Sequence, residues 1–310
     1  MDVLISTSSF AKHSREPLEL LEARGIRYTM NAKGRKLEAD EIASMLADID
    51  GLVAGTEPLT RHVLQQAPRL RVISRCGTGL DNVDLDAAAE LGIEVRNTPD
   101  AHVDSVAELT LAVLLSTLRH LPEADRSVRE GAWKKPMGRL LRGKTVGLVG
   151  LGRVSKRLIE LLAPFQVTIL ATDPCEDSEF AHKHGVRYVE LDRLLELCDV
   201  ISLHLPYTPK VHHILDAGRL RRMKPGAVLV NCARGGLVDE AALCEVLLEG
   251  RLAGVHFDTF EREPYQGPLA EIPCAALSSH IGSYAVEGRV QMEREAVLNL
   301  LSCLENGAEG

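Results

Sequence analysis

Three residues of different chemistry, each placed just after a short apolar run, suggest a single reactive site. Arg234 lies in Asn231-Cys232-Ala233-Arg234-Gly235-Gly236, directly after Val228-Leu229-Val230. A guanidinium stays charged at any physiological pH and presents a planar fork of donors, while the paired glycines allow close backbone approach. Such a group suits a small carboxylate. Taken alone, Arg234 reads better as an exposed loop arginine paired with Asp239 or Glu240. Two later segments shift that balance. Asp258-Thr259-Phe260-Glu261-Arg262-Glu263-Pro264 follows the run Leu252 to Phe257, and Ser278-Ser279-His280-Ile281-Gly282 follows Cys274 to Leu277. The carboxyl ends of strands in an open parallel sheet line the ligand crevice, so Arg234, Glu263 and His280 are expected to converge there. An imidazole titrating near neutrality, its far nitrogen held by a carboxylate, can exchange a proton with a hydroxyl or carbonyl oxygen beside the bound anion.

Gly150-Leu151-Gly152-Arg153-Val154-Ser155 stands between the strand ending at Val149 and a helix through Leu158 and Leu161. Glycines there permit a tight turn, and free N–H groups at the helix start receive a pyrophosphate. The third glycine of the dinucleotide fingerprint is replaced by Ser155, small enough for a close helix-to-strand contact. Asp173 ends the next strand about 20 residues on, where a carboxylate accepts from ribose hydroxyls. Pro174-Cys175-Glu176-Asp177 supply acid rather than a cation for a 2′-phosphate, so NAD is expected over NADP. A turn-capping aspartate before proline is the structural alternative for Asp173.

These segments need parallel strands to position them, and the pattern supplies them. Val3 to Ile5, Ile26 to Tyr28, Gly51 to Ala54, Val72 to Ser74 and Ile93 to Val95 read as strands alternating with helices near Glu16 to Arg24, Ala39 to Ala47, Thr60 to Gln66 and Leu85 to Leu91. Asn97-Thr98-Pro99-Asp100 breaks the pattern. A long helix carrying Val103, Val106, Leu109, Val113 and Leu114 follows. A second block has strands near Thr145 to Val149, Val167 to Ala171, Val200 to Leu203, Val228 to Asn231, Gly254 to Phe257 and Ala275 to Leu277. A last helix is expected to put Val286, Val290, Val297, Leu301 and Leu304 on one face, with acids and arginines opposite. The fold class is α/β, with two doubly wound parallel-sheet domains.

With 310 residues and 45% apolar content the chain can build two cores. It has no run of about 18 apolar residues, and it opens on a strand pattern without a signal peptide's basic start, so a cytoplasmic protein without membrane attachment is expected. Seven scattered cysteines read as reduced thiols, and no metal-ligand spacing is present. A formal charge of -8 without a basic stripe disfavours nucleic acid. His212 and His213 read as solvated or structural, His256 as a satisfied core residue in a strand interior, and His204 as a backbone contact near the cofactor crevice.

The Arg, Glu and His segments, together with Arg75-Cys76-Gly77-Thr78-Gly79-Leu80-Asp81-Asn82-Val83-Asp84, Ser105-Val106-Ala107-Glu108, Gly150-Leu151-Gly152-Arg153 and His204-Leu205-Pro206, resemble the D-isomer-specific 2-hydroxyacid dehydrogenases, above all their phosphoglycerate dehydrogenase branch. The resemblance runs from about Leu70 to His280. It implies a Rossmann-type NAD domain (100–281) inserted into a flavodoxin-like substrate domain (1–99), with residues 282–310 returning to the latter as a helix. It implies that Arg234 binds the substrate carboxylate and 2-oxygen, that His280 steadied by Glu263 moves the proton, and that hydride passes between C2 and nicotinamide. By the same resemblance Arg75, Gly77 and His102 would contact substrate. Thr78, Val106, Gly150, Gly152, Arg153, Val154, Asp173, Leu205, Pro206, Cys232, Asp258 and Gly282 would contact NAD. A homodimer through the NAD domains, around Trp133 and Lys134-Lys135 and the preceding helix, is implied as well. No appended regulatory domain is visible, so feedback through one is not expected.

Two departures bear on the substrate. His102 stands where the family often has Asn. Val53-Ala54-Gly55-Thr56-Glu57-Pro58 replaces the Arg-Ser loop that commonly grips phosphate. A 3-phosphoglycerate-like substrate, another 2-hydroxy acid of glyoxylate, hydroxypyruvate or lactate type, and phosphite all remain open, as does a dinucleotide-sensing corepressor that binds short peptides. Formate oxidation pairs its histidine with glutamine, and Glu263 argues against it.

Overall fold

A computed structural model describes residues 1–306, and the chain divides into two compact units, Met1–His102 joined by the chain from Tyr284, and Val103–Ser283. The first unit opens with β1 (Asp2–Ile5), α1 (Glu16–Glu22), β2 (Arg27–Met30), α2 (Ala39–Met45), β3 (Gly51–Ala54), α3 (Arg61–Gln65), β4 (Val72–Arg75), α4 (Leu85–Glu90) and β5 (Glu94–Asn97). Its strands form one parallel sheet in the order β2-β1-β3-β4-β5. The two-residue period of a strand divides β3 between two cores: Leu52 and Ala54 face the core with α2, α3 and α4, while Val53 faces the other side. Side-chain caps start α3, through Thr60, and α4, where Asp84 accepts from the Ala87 amide at 2.8 Å.

The second unit contains α5 (Val103–Leu118), α6 (Leu121–Arg129), β6 (Thr145–Val149), α7 (Arg153–Leu162), β7 (Thr168–Thr172), α8 (Ser178–His184), β8 (Val186–Tyr188), α9 (Leu191–Leu197), β9 (Val200–Leu203), α10 (Ala217–Arg222), β10 (Val228–Asn231), α11 (Glu240–Leu248), β11 (Gly254–Phe257) and β12 (Ala275–Leu277). These strands make a seven-stranded parallel sheet, β12-β11-β10-β9-β6-β7-β8. The chain winds outward from β6 through β7 to β8, then crosses to β9 on the other side of β6. That reversal opens a crevice at the carboxyl ends of β6 and β9, where open α/β sheets bind ligands. Leu229 of β10 packs into the core with α9, α10 and α11, while its neighbours Val228 and Val230 pack into the core with α5 and α7.

Two expectations are corrected here. The short edge strand β8, Val186-Arg187-Tyr188, is absent from the sequence reading; only Val186 is buried, so it carries almost no hydrophobic signal. The last helix, α12 (Val286–Asn306), buries a rotated face in the first unit: Met292, Ala296, Val297, Leu300, Leu301 and Leu304 are buried, whereas Val286 is 49% exposed. Arg289 and Glu293 lie on this buried face rather than opposite it. Their contact at 3.2 Å, the Arg289 bond to Ser9 Oγ at 2.9 Å and the Ala11 amide on Glu293 at 2.9 Å make their burial tolerable.

Candidate active site

The loop after β10 is shaped by Asn231, a buried strand-end residue. Its Nδ2 donates to Arg234 O at 2.8 Å and its Oδ1 accepts from Ala233 N at 3.1 Å. Gly235 then runs against the loop after β11 so closely that a Cβ there would fall 1.9 Å from the Phe260 carbonyl carbon, a contact that no side chain permits. Asp239 caps α11 through the Ala242 amide at 3.0 Å, and Glu240 accepts the Glu261 amide at 2.8 Å.

Asp258, the first residue after β11, is fully buried. Its carboxylate accepts from Ser278 Oγ at 2.5 Å, Ile281 N at 2.9 Å and Gly282 N at 2.8 Å, and its carbonyl accepts from His280 N at 2.8 Å. The loop after β12 is thereby wrapped around one side chain, with His280 in the left-handed region at φ 56. His280 Nδ1 lies 2.9 Å from Glu263 Oε2. A carboxylate can only accept, so Nδ1 carries hydrogen and Nε2 is the nitrogen left for a ligand. Glu263 Oε1 in turn accepts from Phe260 N at 3.1 Å. Partial burial pushes the Glu263 carboxyl up, but the His280 hydrogen bond and charge, the Phe260 amide and the Arg234 charge outweigh it and hold Glu263 below the usual carboxylate range. The structure thus brings His280 and Glu263 together with Arg234 in electrostatic reach.

At the crevice beside β6, Gly150 adopts φ 94 and passes so near β9's end that a Cβ would sit 2.9 Å from His204 O. Gly152, the N-cap of α7, has no atom within 4 Å of where its Cβ would be, which leaves room for a pyrophosphate at the helix start. Ser155 is buried and donates to Gly150 O at 2.6 Å, so the serine that replaces the third glycine also ties down the turn. Asp173 accepts from Leu151 N at 2.7 Å and from Cys175 N at 2.8 Å, and each of its oxygens retains acceptor capacity for ribose. Beside it lies a cleft of about 470 Å³ lined by Thr172, Asp173, Pro174, Glu176, Tyr188 and Glu190. Its three acids oppose a 2′-phosphate, and the residues present fit a dinucleotide with a free ribose.

The remaining predicted contacts fall in two places. Arg153 and Val154 open α7, Leu205 and Pro206 follow β9, and Cys232 follows β10, buried with its thiol pushed up to about 12. Val106 in α5 lies against Gly282, with a methyl 3.4 Å from the position of a Cβ there. Arg75, Gly77, Thr78 and His102 belong to the first unit. There Arg75 ends β4 and packs over Gly77, where a Cβ would meet Nη1 at 2.5 Å, and Thr78 Oγ1 lies 2.9 Å from His102 Nδ1. Sequence reasoning missed Asn231, Ser278 and the pair His213 with Glu261. Only an Asn closing a strand before two glycines gave a usable signal. Among the described residues no group of three His, Cys, Asp or Glu side chains could hold a metal, and no helix is long and apolar enough to cross a membrane.

A parallel sheet with a glycine turn, a helix N-terminus and an aspartate just past the neighbouring strand at its switch point defines a dinucleotide-binding unit. Residues 111–282 match the D-isomer specific 2-hydroxyacid dehydrogenase, NAD binding domain. The chain is 40% identical over 259 residues to D-3-phosphoglycerate dehydrogenase of Methanocaldococcus jannaschii, covering 82% of this chain and 49% of that one. It is 38% identical over 270 residues to glyoxylate reductase of Korarchaeum cryptofilum, covering 84% and 81%. The TT0316 protein from Thermus thermophilus superposes with a TM-score of 0.91 at 35% identity, covering 99% and 97%. The chain belongs to the D-isomer-specific 2-hydroxyacid dehydrogenase family, and the dinucleotide of its second unit is NAD. It spans about half the length of the phosphoglycerate dehydrogenases it matches.

Two histidines of this unit lie outside the predicted triad, His256 buried and His204 half-buried. His256, within β11, lies 2.9 Å from Ser278 Oγ through Nε2. Because that hydroxyl donates to Asp258, His256 is the donor. Burial, partly opposed by the Asp258 charge, lowers its pKa to about 4, and burial alone lowers His204 to about 4. Both groups titrate near 6.5 when exposed, so the unfolded chain takes up protons between about pH 6.5 and 4 while the folded chain does not. The stabilisation present above pH 6.5 is lost as pH falls through 4, by up to about 3 kcal/mol for His256. Denaturant unfolding measured from pH 7 to 4 is expected to show this fall. His256→Gln is expected to flatten it, and an equal slope in both proteins would contradict the assignment.

Proposed function

We propose that this protein is an NAD-dependent D-2-hydroxyacid dehydrogenase, interconverting a small 2-hydroxy acid and its 2-oxo acid. The observation that carries the proposal is the His280–Glu263 pair at 2.9 Å, with Arg234 in electrostatic reach, at the carboxyl edge of an NAD-binding sheet. Arg234 binds the carboxylate and polarises the 2-oxygen with a charge that no working pH removes. His280 Nε2 gives its proton to the oxygen as the oxo acid is reduced and takes it back in oxidation. Glu263 holds Nδ1 and stabilises the imidazolium. NAD, when bound, supplies or accepts the hydride at C2. Gly150, Gly152, Arg153 and Val154 receive the pyrophosphate at the α7 N-terminus, and Asp173 the ribose. Thr78, Val106, Leu205, Pro206, Cys232, Asp258 and Gly282 complete the cofactor contacts, and Arg75, Gly77 and His102 those to substrate. The Asp258 carboxylate is mostly committed to the His280 loop, so its share in holding the nicotinamide carboxamide is confined to what acceptor capacity remains.

Within this class the first substrate pair to test is 3-phosphoglycerate and phosphohydroxypyruvate, after the 40% identical relative named for it. One observation favours a second reading, an unphosphorylated acid of the glyoxylate or hydroxypyruvate type. In the first unit Glu57 is buried at the end of β3, accepting from Gly55 N at 2.9 Å and from Ser6 Oγ. An acid in this loop opposes a phosphate where a cation would hold one.

A spectrophotometric panel of 2-oxo acids with NADH, including phosphohydroxypyruvate, glyoxylate and hydroxypyruvate, tests the assignment. Arg234→Ala is expected to abolish turnover while NADH binding stays close to that of the parent; parallel loss of both would make Arg234 structural. His280→Asn should lower the rate by about 10²–10⁴, and undiminished activity would remove it from proton transfer.

A homodimer through the second units is proposed from one apolar surface. Leu121, Val128, Trp133, Met137 and Leu140 are 55%, 53%, 70%, 90% and 69% exposed along α6 and the segment after it, a run of exposed large apolar side chains of the kind that association covers. Light scattering is expected to give twice 33.8 kDa. Trp133→Asp combined with Met137→Asp should halve that mass, and a monomeric parent would contradict the proposal.

A further inference from the structure

A second histidine–carboxylate pair, separate from His280 and Glu263, joins the two loops that carry the proposed catalytic groups. His213 lies between β9 and α10. Its Nε2 bonds Glu261 Oε1, and because a carboxylate only accepts, Nε2 carries the hydrogen. Glu261 is two residues before Glu263. The His213 amide meanwhile donates to Gly236 O at 2.9 Å, two residues after Arg234. One residue therefore grips the Arg234 loop with its backbone and the Glu263 loop with its ring.

The surroundings make this grip stiff. The Glu261 amide is held by Glu240 Oε1 at 2.8 Å, and the Phe260–Glu261 peptide lies flat against Gly235. On the outer side the His212 ring stacks on His213 with centroids 3.8 Å apart, and Tyr207 OH lies 3.3 Å from His212 Nδ1. The Tyr207 ring covers Gly236, where a Cβ would meet Cε2 at 2.6 Å. An ordinary surface ion pair fixes nothing but itself and adds little. Here only His213 is partly buried, at 30% side-chain exposure against 39% for Glu261, but the pair joins two different loops. Glu240 reports the same crowding: burial raises its pKa, with the Glu261 and Glu263 charges adding and the Glu261 amide and His213 opposing.

We propose that His213 and Glu261 are a positioning pair that fixes the Arg234 loop to the Glu263 loop, so that the carboxylate anchor and the proton-transfer pair keep one geometry. The role assigned to these loops rests on the dehydrogenase reading; the physical link between them does not. Small displacements of catalytic groups are costly, so loss of the link should appear in rate before stability.

His213→Ala, Glu261→Ala, the double variant and His213→Gln, whose amide can still donate to Glu261, are compared with the parent. Steady-state kinetics, NADH affinity, melting temperature and amide hydrogen exchange are measured for each. Either alanine variant should lower kcat/KM about tenfold with NADH affinity and melting temperature near the parent's. The double variant should lose no more than the worse single one, and His213→Gln should recover most of the loss. Exchange over residues 258–264 should quicken severalfold in His213→Ala and stay unchanged in β6 to β10. Unchanged exchange there, or additive losses in the double variant, overturns the link even in an active enzyme. Quickened exchange in a protein that reduces no 2-oxo acid supports the link and instead overturns the dehydrogenase reading.

Discussion

One buried carboxylate organises the candidate site. Asp258 has no exposed surface, and an acid in that position is tolerable only if its oxygens are satisfied. The chain supplies Ser278 Oγ, Ile281 N and Gly282 N, bonds to a charged acceptor that contribute roughly 1.5–3 kcal/mol each. Two successive amides can reach one side chain only if the backbone turns sharply. His280 takes the left-handed conformation that does so, at a cost on the order of 1–2 kcal/mol that those bonds offset. The imidazole is aimed at Glu263 as a consequence, and Glu263 is aimed back through the Phe260 amide.

The parallel sheet explains why such small devices suffice. Every strand of the second unit ends on the same edge, so the turns after β6, β9, β10, β11 and β12 need little length to meet. Glycine at 150 and 235 removes the side chains that would keep neighbouring turns apart. The charges are then separated by place along the edge: acids beside β7 and β8, where the ribose is proposed to bind, and Arg234 beside β10, where the substrate carboxylate is proposed to bind. Desolvation lowers His204 and His256 to about 4, so neither is charged at neutral pH, and His280, more exposed, is the proposed exchanger.

Much of this was legible in the sequence because the strands are buried on both faces and read as continuous apolar runs such as Val228-Leu229-Val230 and Val200 to Leu203. The glycine turn, Asp173 and the three catalytic segments sit at fixed offsets from those runs. What escaped depends on partners distant in the chain. β8 is an edge strand with one buried residue. The buried face of α12 includes Arg289 and Glu293, which pair with each other and hydrogen-bond to the segment after β1, a fact no helical periodicity contains. Ser155 read as a defect of the glycine motif, yet its hydroxyl secures the turn that the missing glycine would only have permitted. His213 read as solvated or structural, and its partner stayed hidden because Glu261 is 48 residues away.

The central claim is that Glu263 makes His280 a competent proton donor rather than merely occupying its neighbourhood. The pH dependence of 2-oxo acid reduction in Glu263→Gln tests it most directly, since glutamine keeps the shape and a hydrogen-bond acceptor but cannot stabilise an imidazolium by charge. The account predicts NADH affinity close to the parent's, kcat/KM lower by at least about tenfold, and an alkaline limb of the rate profile displaced to lower pH. A variant with the parent's rate and an unmoved limb would contradict it.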